Sequence, residues 1–367
     1  MTCRLTTTTA LALCLALPAA AESFDLDALI AAARTEAPIT IYDSTSKIIE
    51  MADRFTQTYG IAVTGVKVRS PDQAEMVSRE ARAGNIQGDV VHLSDVPSGL
   101  LELIPQGYLE SWLPPDLASD IPAGFQDPLV LVTSGKVFVH NTETHDSCPI
   151  DTIWDLTRPE WSGRFAMQDP LNTGELTDLF NQMETHADAE VAAAYEKEFG
   201  TPLNADGTAT RAFVQALAAN DPLLTENDQS VGDAVGAPGQ SDGFLGLVST
   251  AKFRDNESKG YTLGLCSDVA PMIGFTSPNL ALIATGTESP NLARLWVRYV
   301  MTEDGIAPQA ADGKISGNRS ISLPDDEPSG VGAVLDRLFN FRPATAADDL
   351  DMRQDWQDIW RIAYSRN

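Results

Sequence analysis

In the first third of the chain, two patterns of apolar residues alternate. One is a short continuous run, and the other places apolar residues three or four positions apart. The runs predict strands, and the wider spacing predicts amphipathic helices, most clearly where Ile48, Met51 and Phe55 share one face. The predicted order is helix 23–36, strand 39–42, helix 47–59, strand 61–68, helix 71–83, strand 89–93 and helix 97–106. This alternation favours an α/β fold with a parallel, doubly wound sheet.

The middle of the chain has longer apolar stretches. Residues 129–141 predict paired strands or a crossing segment, and residues 269–283 return to strand character. Helices are predicted at 152–157, 174–199, 209–219, 289–302 and from 347 onward, and a short buried strand at 245–248. A length of 367 residues favours two domains. Because no low-complexity linker separates them, we expect the two domains to be interleaved in sequence.

The first 21 residues have the pattern of a secretory signal peptide. Arg4 gives a weakly positive start, residues 10–17 are apolar, and residues 19–21 are alanines suited to cleavage. A lipoprotein signal at Cys14 is disfavoured because Leu13 precedes it. We therefore expect an exported, periplasmic protein. Cleavage leaves two cysteines, Cys148 and Cys266, which predict one disulfide, with two buried free thiols as the alternative.

Charge and motifs exclude several classes of function. The chain has 25 basic and 52 acidic residues, a formal net charge of −27, so it lacks the basic surface that nucleic acid requires. The four histidines show no i,i+4 pair and there is no C-x-x-C, so neither a metal nor a cofactor is expected. Residues 239–243 match G-x-S-x-G, but no strand precedes them and every histidine comes before Ser241. We do not expect an enzyme.

Two hydroxyl-rich loops each lead from a strand towards a helix. One contains Ser44, Thr45 and Ser46, and the other contains Asn172 followed by residues 173–174. Unpaired N–H groups and a partial positive charge at a helix start favour anions. Each loop also fits an ordinary helix N-cap. Because open α/β sheets bind ligands at the carboxyl ends of their strands, we expect both loops at a ligand cleft.

Further polar clusters lie in the second half of the chain. Residues 227–230 include Asp228, and residues 249–252 include Lys252, which could counter an anionic ligand. Pro278 and Asn279 follow in a segment that should return to the first half, which makes them candidate contacts beside the hinge. A solvated surface lysine is the alternative for Lys252.

Taken together, several of these stretches resemble the periplasmic substrate-binding proteins of ABC importers, in the ferric-ion-type branch of the family 1 solute-binding proteins. The resemblance covers nearly all of the mature chain. The stretches that support it are 42–55, Tyr59-Gly60-Ile61, Gly88-Asp-Val-Val91, Trp154-Asp-Leu, 161–170, 289–296 and 303–308.

This resemblance implies a type II periplasmic binding fold. Two α/β lobes, each a central sheet flanked by helices, would be joined by two hinge strands and close on a solute. We expect lobe 1 to comprise 22–133 plus 271–367 and lobe 2 to comprise 134–270. The partners would be a small molecule in the cleft between the lobes and an inner-membrane ABC permease, and the protein would be a monomer without catalytic activity.

The family's cargoes include ferric ion, hexose phosphates, phosphoglycerate, phosphonates, thiamine and polyamines. Its iron binders use adjacent tyrosines, whereas this chain has no adjacent pair, and residues 246–252 stand in the corresponding stretch. The hydroxyl-rich loops and Lys252 are more similar to the organophosphate binders, so we expect a small anionic solute with a phosphate or phosphonate. The positions that the resemblance assigns to the ligand are Ser44, Thr45, Ser46, Thr173, Gly174, Ser249 and Thr250.

A cationic cargo, ferric ion or a polyamine, is the main alternative. It would need carboxylates or phenols in the cleft, for which the candidates are Tyr42, Asp43, Asp95, Asp169, Glu175 and Asp228. A binding protein that reports to a membrane receptor and a secreted hydrolase are the other two alternatives.

Overall fold

A computed structural model describes residues 24–365, so the predicted signal peptide at 1–21 lies outside the described residues. The strands are β1 Ile39–Asp43, β2 Val63–Lys67, β3 Val90–Leu93, β4 Leu109–Ser111, β5 Val130–Asn141, β6 Phe165–Gln168, β7 Leu223–Thr225, β8 Leu245–Ser249, β9 Leu263–Leu265, β10 Gly274–Ala284, β11 Ile315–Ser316 and β12 Phe339–Asn340. The α-helices are α1 Leu26–Ala33, α2 Lys47–Tyr59, α3 Ser70–Ala83, α4 Val96–Ser98, α5 Gly174–His186, α6 Asp188–Phe199, α7 Ala209–Ala219, α8 Asp228–Gly236, α9 Asp255–Lys259, α10 Pro290–Val300, α11 Glu303–Ala310 and α12 Ala346–Tyr364. Within this range, no helix is both long enough and apolar enough to cross a bilayer.

Two long antiparallel strands, β5 and β10, run through the middle of a mixed sheet whose order is β2-β1-β3-β10-β5-β8-β6-β7. In lobe 1, the end of β10 pairs with β3 from Leu280 to Ile283, and β3, β1 and β2 are parallel. In lobe 2, the second half of β5 pairs with β8, followed by the parallel strands β6 and β7. The predicted crossing segment is confirmed, because β5 and β10 belong to both halves of the sheet.

Each half of the sheet has apolar cores on both faces, as strands buried on two sides require. In lobe 1, Phe55 of α2 packs on Trp296 of α10 with the ring centroids 5.4 Å apart. In lobe 2, Trp154 packs edge-on against Phe213 of α7 at 5.3 Å. The amphipathic face predicted for α2 is therefore its buried face.

The last helix, α12, packs on α5 and α7 of lobe 2. Its Trp356 and Trp360 are fully buried in the same core as Phe180. To reach this place, the chain passes between the lobes a third time, since β11 pairs with the lobe 1 part of β5 and β12 with the lobe 2 part of β10. The lobe boundaries remain a prediction, and these contacts favour assigning the last 30 or so residues to lobe 2.

Two predicted helices have different shapes in the structure. The helix predicted at 174–199 breaks at Ala187, whose φ of −142° leaves the helical region. Asp188 then accepts hydrogen bonds from the backbone N–H groups of Ala209 and Thr210, and so caps α7. The helix predicted at 97–106 is a single α-turn followed by a π-helical stretch.

The predicted disulfide between Cys148 and Cys266 is present in the structure. Cys148 lies in the loop after β5, and Cys266 directly follows β9. The bond therefore joins two segments of lobe 2 that are separated by 118 residues in sequence.

Candidate functional site

The first predicted loop lies at the carboxyl end of β1, where α2 begins. Ser46 is the N-cap residue of α2, but its side chain makes no capping hydrogen bond. Asp43, the last residue of β1, stabilises the loop by accepting a hydrogen bond from the Thr45 backbone N–H at 2.9 Å. The hydroxyls of Ser44 and Ser46 are therefore not used to cap the helix.

A buried polar chain supports Asp43. His92 Nδ1 lies 2.6 Å from an Asp43 oxygen, and Trp296 Nε1 donates to His92 Nε2 at 3.1 Å. Because an indole N–H can only donate, His92 Nε2 is the acceptor of this bond and Nδ1 is left to donate to Asp43. Burial opposes ionisation of Asp43, but the hydrogen bond from His92 and the nearby Lys314 ammonium lower the pKa of Asp43.

The second predicted loop enters α5 from lobe 2. Asp169 shapes it by accepting hydrogen bonds from the Leu171 backbone N–H at 2.9 Å and from the Asn172 side chain at 2.8 Å. Thr173 is the N-cap of α5 and, like Ser46, makes no capping hydrogen bond with its side chain. Asp169 thus organises the loop, while Thr173 and the first N–H groups of α5, from Gly174 onward, keep their hydrogen-bonding capacity.

An ion pair at the hinge joins β5 to α5. Lys136 Nζ lies 2.8 Å from Glu175 and donates to Gln168 at 2.5 Å, and Ser277 of β10 donates to Glu175. Burial disfavours both charged forms, but the attraction between the two groups raises the pKa of Lys136 and lowers that of Glu175. Both side chains are therefore charged at neutral pH.

The lobes also meet at Asp312, between α11 and β11. Arg254 of lobe 2 forms an ion pair with Asp312, and Thr250 donates to the Asp312 carbonyl at 2.9 Å. Burial raises the pKa of Asp312 above its usual value, although four surrounding cations oppose the rise. The four cations are Arg254, Lys47, Lys314 and Lys252.

The start of α8 brings the other predicted residues of lobe 2 to the same region. Asp228 accepts a hydrogen bond from the Ser249 backbone N–H at 3.0 Å, and Lys252 Nζ donates to Gln229 at 3.0 Å. Burial lowers the pKa of Lys252. Asn227 caps α8 through the Ser230 N–H, which occupies its side-chain oxygen.

Pro278 and Asn279 lie on β10 where it passes between the lobes. Pro278 is opposite Thr133 of β5, and the buried Asn279 side chain donates to Ser134 Oγ at 3.1 Å. These residues belong to the hinge pair, as their place in the sequence predicted.

Two predicted site residues have clear internal partners. Tyr42 is packed in the lobe 1 core, where its hydroxyl donates to Glu80 at 3.0 Å, and burial raises its pKa. Asp95 caps α4 and forms an ion pair with Arg353 at 2.8 Å. A ligand contact for Tyr42 or Asp95 remains a prediction.

Sequence reasoning missed Lys136, Lys314 and Arg353. Lys136 is the one basic residue within the apolar stretch of β5, and a charge in a buried strand needs a partner, so it could have been found. Arg353 comes from α12 and joins Asp95 of lobe 1 to Asp178 of lobe 2, with an N–O distance of 2.7 Å to Asp178. No local pattern in the sequence indicates that long-range contact.

One group of possible metal ligands occurs between residues 24 and 365, namely His140, Cys148 and Cys266. Its two sulfurs are bonded to each other, which removes the thiolates that a metal would need. The group therefore does not fit a metal ion while the disulfide is intact.

Comparison with known proteins agrees with this architecture. The family described as "Bacterial extracellular solute-binding protein" matches residues 39–313. No curated protein matches the chain. Similar solved structures are iron-bound HitA from Pseudomonas aeruginosa (TM-score 0.66, 18% identity, 87% of this chain and 99% of that chain), apo ferric ion-binding protein A from Pasteurella haemolytica (0.63, 16%, 88% and 98%) and AfuA from Actinobacillus pleuropneumoniae with exogenous fructose-6-phosphate bound (0.65, 16%, 88% and 98%).

At these identities the solved structures establish the fold alone, whereas the family match spans most of the chain. A protein of this kind takes a small ligand between its lobes and works with an ABC permease. The chain belongs to the bacterial extracellular solute-binding proteins.

Proposed function

We propose that this protein binds a small anionic solute that contains a phosphate or phosphonate group and delivers it to an ABC importer of the inner membrane. The ligand would bind between the lobes, near the loops at Ser46 and Thr173. The export that this role requires is consistent with the predicted signal peptide.

The observation that carries this proposal is the gathering of cations from both lobes in an otherwise acidic chain. Lobe 1 contributes Lys47 and Lys314, and lobe 2 contributes Lys252, Arg254 and Lys136. Four acidic groups near them already accept hydrogen bonds from the protein itself. These acids are Asp43, Glu175, Asp228 and Asp312.

An anion gains more from such a site than a cation does. Occupied carboxylates would have to give up internal donors before they could bind a cation, whereas the helix N-termini, the hydroxyls of Ser46 and Thr173 and the ammonium of Lys314, which is unpaired within residues 24–365, supply donors directly. Closure of the lobes would surround the ligand with donors from both sides and exclude water. Negative charge farther away than about 8 Å is largely screened at physiological salt.

A ferric-ion carrier is the second candidate, favoured by the similarity to iron-bound HitA and to ferric ion-binding protein A. The absence of adjacent tyrosines counts against it. Two tyrosines that a metal could use are already engaged: Tyr42 donates to Glu80, and Tyr261 donates to Asp233 at 2.5 Å.

The first test is a thermal-shift screen of the mature protein in phosphate-free buffer. The panel contains sugar phosphates, phosphoglycerates, phosphonates, ferric citrate, thiamine and polyamines. A ligand at ~1,000 times its Kd adds ~4 kcal/mol to the free energy of unfolding, which corresponds to a Tm increase of ~8–16 °C for a chain of this size. We expect phosphorylated or phosphonate compounds to give this shift.

Stabilisation by ferric citrate or polyamines alone would overturn the anionic cargo and keep the fold. For a confirmed ligand, the double variant Ser46→Ala with Thr173→Ala tests the two loops. Its matched control, Ser147→Ala with Thr201→Ala, removes the same two hydroxyls from exposed positions outside the cleft. Uptake of the ligand by vesicles that contain the permease then separates a transport role from a sensing role.

A further inference from the structure

Lys314 is a largely buried lysine whose ammonium is in direct contact with no carboxylate of the described residues. It follows α11 on lobe 1, is 8% exposed, and its backbone N–H donates to the Gln309 carbonyl at 3.2 Å. Among residues 24–365, its ammonium makes no hydrogen bond and no ion pair. Most of the side chain is buried, but Nζ itself is not fully buried, so the ammonium still reaches solvent. A largely buried lysine that serves stability alone is expected to have a carboxylate or carbonyl within hydrogen-bond distance.

The contacts on either side of Lys314 place it where the lobes meet. Thr250 of lobe 2 donates to the Asp312 carbonyl at 2.9 Å, and Ile315 pairs with Thr133 of β5. Gln309, whose carbonyl accepts from the Lys314 backbone N–H, donates from its side chain to Asp43 at the end of β1. The positive charge of Lys314 accordingly favours ionisation of Asp43 and Asp312 on lobe 1 and of Glu175 on lobe 2.

The neighbouring charged groups already have partners of their own. Glu175 is paired with Lys136, Asp312 with Arg254, and Asp43 accepts hydrogen bonds from His92 and Gln309. The other basic group of the cleft in lobe 2, Lys252, donates to Gln229. Lys47 lies 3.6 Å from Glu50. Of the five cations named for this region, Lys314 is thus the one without an ion-pair or hydrogen-bond partner within residues 24–365.

We infer that Lys314 determines the specificity of the cleft by contacting the oxyanion of the ligand. This inference rests on the proposed function, since it assigns the ligand's anionic group to one side chain. An ammonium at this place selects solutes with a phosphate, phosphonate or carboxylate over neutral analogues of the same shape. The hydroxyl loops would then contact the remainder of the solute.

The test compares wild type with Lys314→Met and Lys314→Arg. Isothermal titration in phosphate-free buffer uses inorganic phosphate, methylphosphonate, 3-phosphoglycerate, fructose 6-phosphate and neutral fructose. For the oxyanion that wild type binds most tightly, Lys314→Met should raise Kd by at least ~10-fold, because a charge-assisted hydrogen bond is lost. Lys314→Arg should retain most of the affinity. The matched control, Lys67→Met, removes the same charge from the exposed strand β2 and should leave Kd unchanged.

Stability of the ligand-free variant provides a second readout. Lys314→Met breaks no hydrogen bond or ion pair, and the gain from removing a largely buried charge offsets the lost attraction to the nearby carboxylates, so its Tm should stay close to that of wild type. A large decrease in its Tm would contradict the premise that Lys314 has no internal partner.

The failures of the two proposals are distinguishable. If wild type binds an oxyanion and Lys314→Met binds it equally well, the assignment of Lys314 is overturned and the proposed function stands. If wild type binds none of the oxyanions and is stabilised by iron or a polyamine, both are overturned.

Discussion

At the residue scale, the cleft depends on charged groups that are partly or fully shielded from water. Lys136, with 11% of its side chain exposed, is paired with Glu175, with 29% exposed. Pairs of this kind contribute little net stability, but removing one partner leaves the other charge uncompensated. The same rule explains why a single substitution at the hinge should have a large effect.

Glu175→Gln should therefore destabilise the protein by about 2–3 kcal/mol at pH 7, since it leaves Lys136 in place without a counter-charge. The folded-state pKa of Glu175 is lowered, so its contribution is present above pH ~4.5 and is lost as the pH falls below that value. Urea unfolding from pH 7 to pH 3 should show the gap between wild type and variant narrowing with acid. Glu102→Gln, at an exposed position, should cost less than about 0.5 kcal/mol.

Asp178 should give the opposite dependence on pH. Burial outweighs the ion pair with Arg353 and raises the pKa of Asp178 to about 6. Between pH ~4 and ~6 the folded state then holds a proton that the unfolded state has lost, so this group lowers the free energy of unfolding as the pH rises. In Asp178→Asn that contribution is absent.

The difference in unfolding free energy between Asp178→Asn and wild type should thus become more favourable to the variant from pH 4 to pH 6.5. Subtracting wild type at each pH cancels the carboxylates that both proteins share. Asp53→Asn, at an exposed position of α2, should show no such trend. A flat difference for Asp178→Asn would mean that Asp178 ionises normally in the folded protein.

The local sequence pattern predicted the loops of the candidate site, but it did not predict most of the charged residues there. Ser46 and Thr173 could be predicted because a strand–loop–helix pattern places helix starts at the cleft edge of an α/β sheet. Lys314 and Arg353 could not be predicted. Their positions depend on the pairing of β11 with β5 and the packing of α12 on α5, and in each case the partner element lies more than 100 residues earlier in the sequence. Tyr42 was predicted as a candidate ligand contact, but its side chain packs in the lobe 1 core. Strand periodicity does not tell which side of the sheet a residue near the end of a strand faces.

At the element scale, the spacing of apolar residues predicted the position of several helices and strands well. The helix at 209–219 has the predicted bounds, and α10 differs from prediction by one or two residues at each end. The break at Ala187 was not predicted because residues 174–199 continue a helical pattern, while the break depends on Asp188 capping a separate helix. Helix propensity depends on the residues of one segment, whereas this cap is a contact between two segments and cannot be read from either one alone.

The disulfide gives a prediction for one pair of elements in lobe 2. It closes a loop of 118 residues between the segments after β5 and β9. Replacing both Cys148 and Cys266 by alanine should reduce the free energy of unfolding by about 2–5 kcal/mol. Urea unfolding of the oxidised wild type against the double variant measures this loss.

Reduced wild type should unfold like the double variant, because both lack the cross-link. Oxidised wild type should be unaffected by an alkylating agent before reduction, with a mass two hydrogens lower than the reduced protein. Equal stability of oxidised wild type and the double variant would mean that the bond does not constrain the unfolded chain.

At the scale of the whole molecule, two contacts between the lobes flank the cleft. One is the ion pair of Arg254 with Asp312. The other, which we call the Arg353 bridge, joins Asp95 of lobe 1 to Asp178 of lobe 2 through Arg353 of α12. Both connect segments on opposite sides of the hinge strands. The balance between open and closed forms should therefore depend on them as well as on the ligand.

Arg353→Gln should shift the ligand-free protein towards the open form, because glutamine can hydrogen-bond one carboxylate but cannot compensate both. Small-angle X-ray scattering should then give a larger radius of gyration for ligand-free Arg353→Gln than for wild type. Saturating ligand should bring the two values together, at the cost of a higher Kd for the variant, since part of the binding energy is used for closure.

The matched control is Arg298→Gln, which breaks the ion pair with Asp116 at 2.7 Å inside lobe 1 and changes the net charge equally. Because that pair does not span the cleft, the variant should keep the wild-type radius of gyration even if its Tm falls. If Arg353→Gln and Arg298→Gln scatter alike, the Arg353 bridge moves with lobe 2 as a rigid unit, and closure is governed by the Arg254–Asp312 contact and the ligand instead.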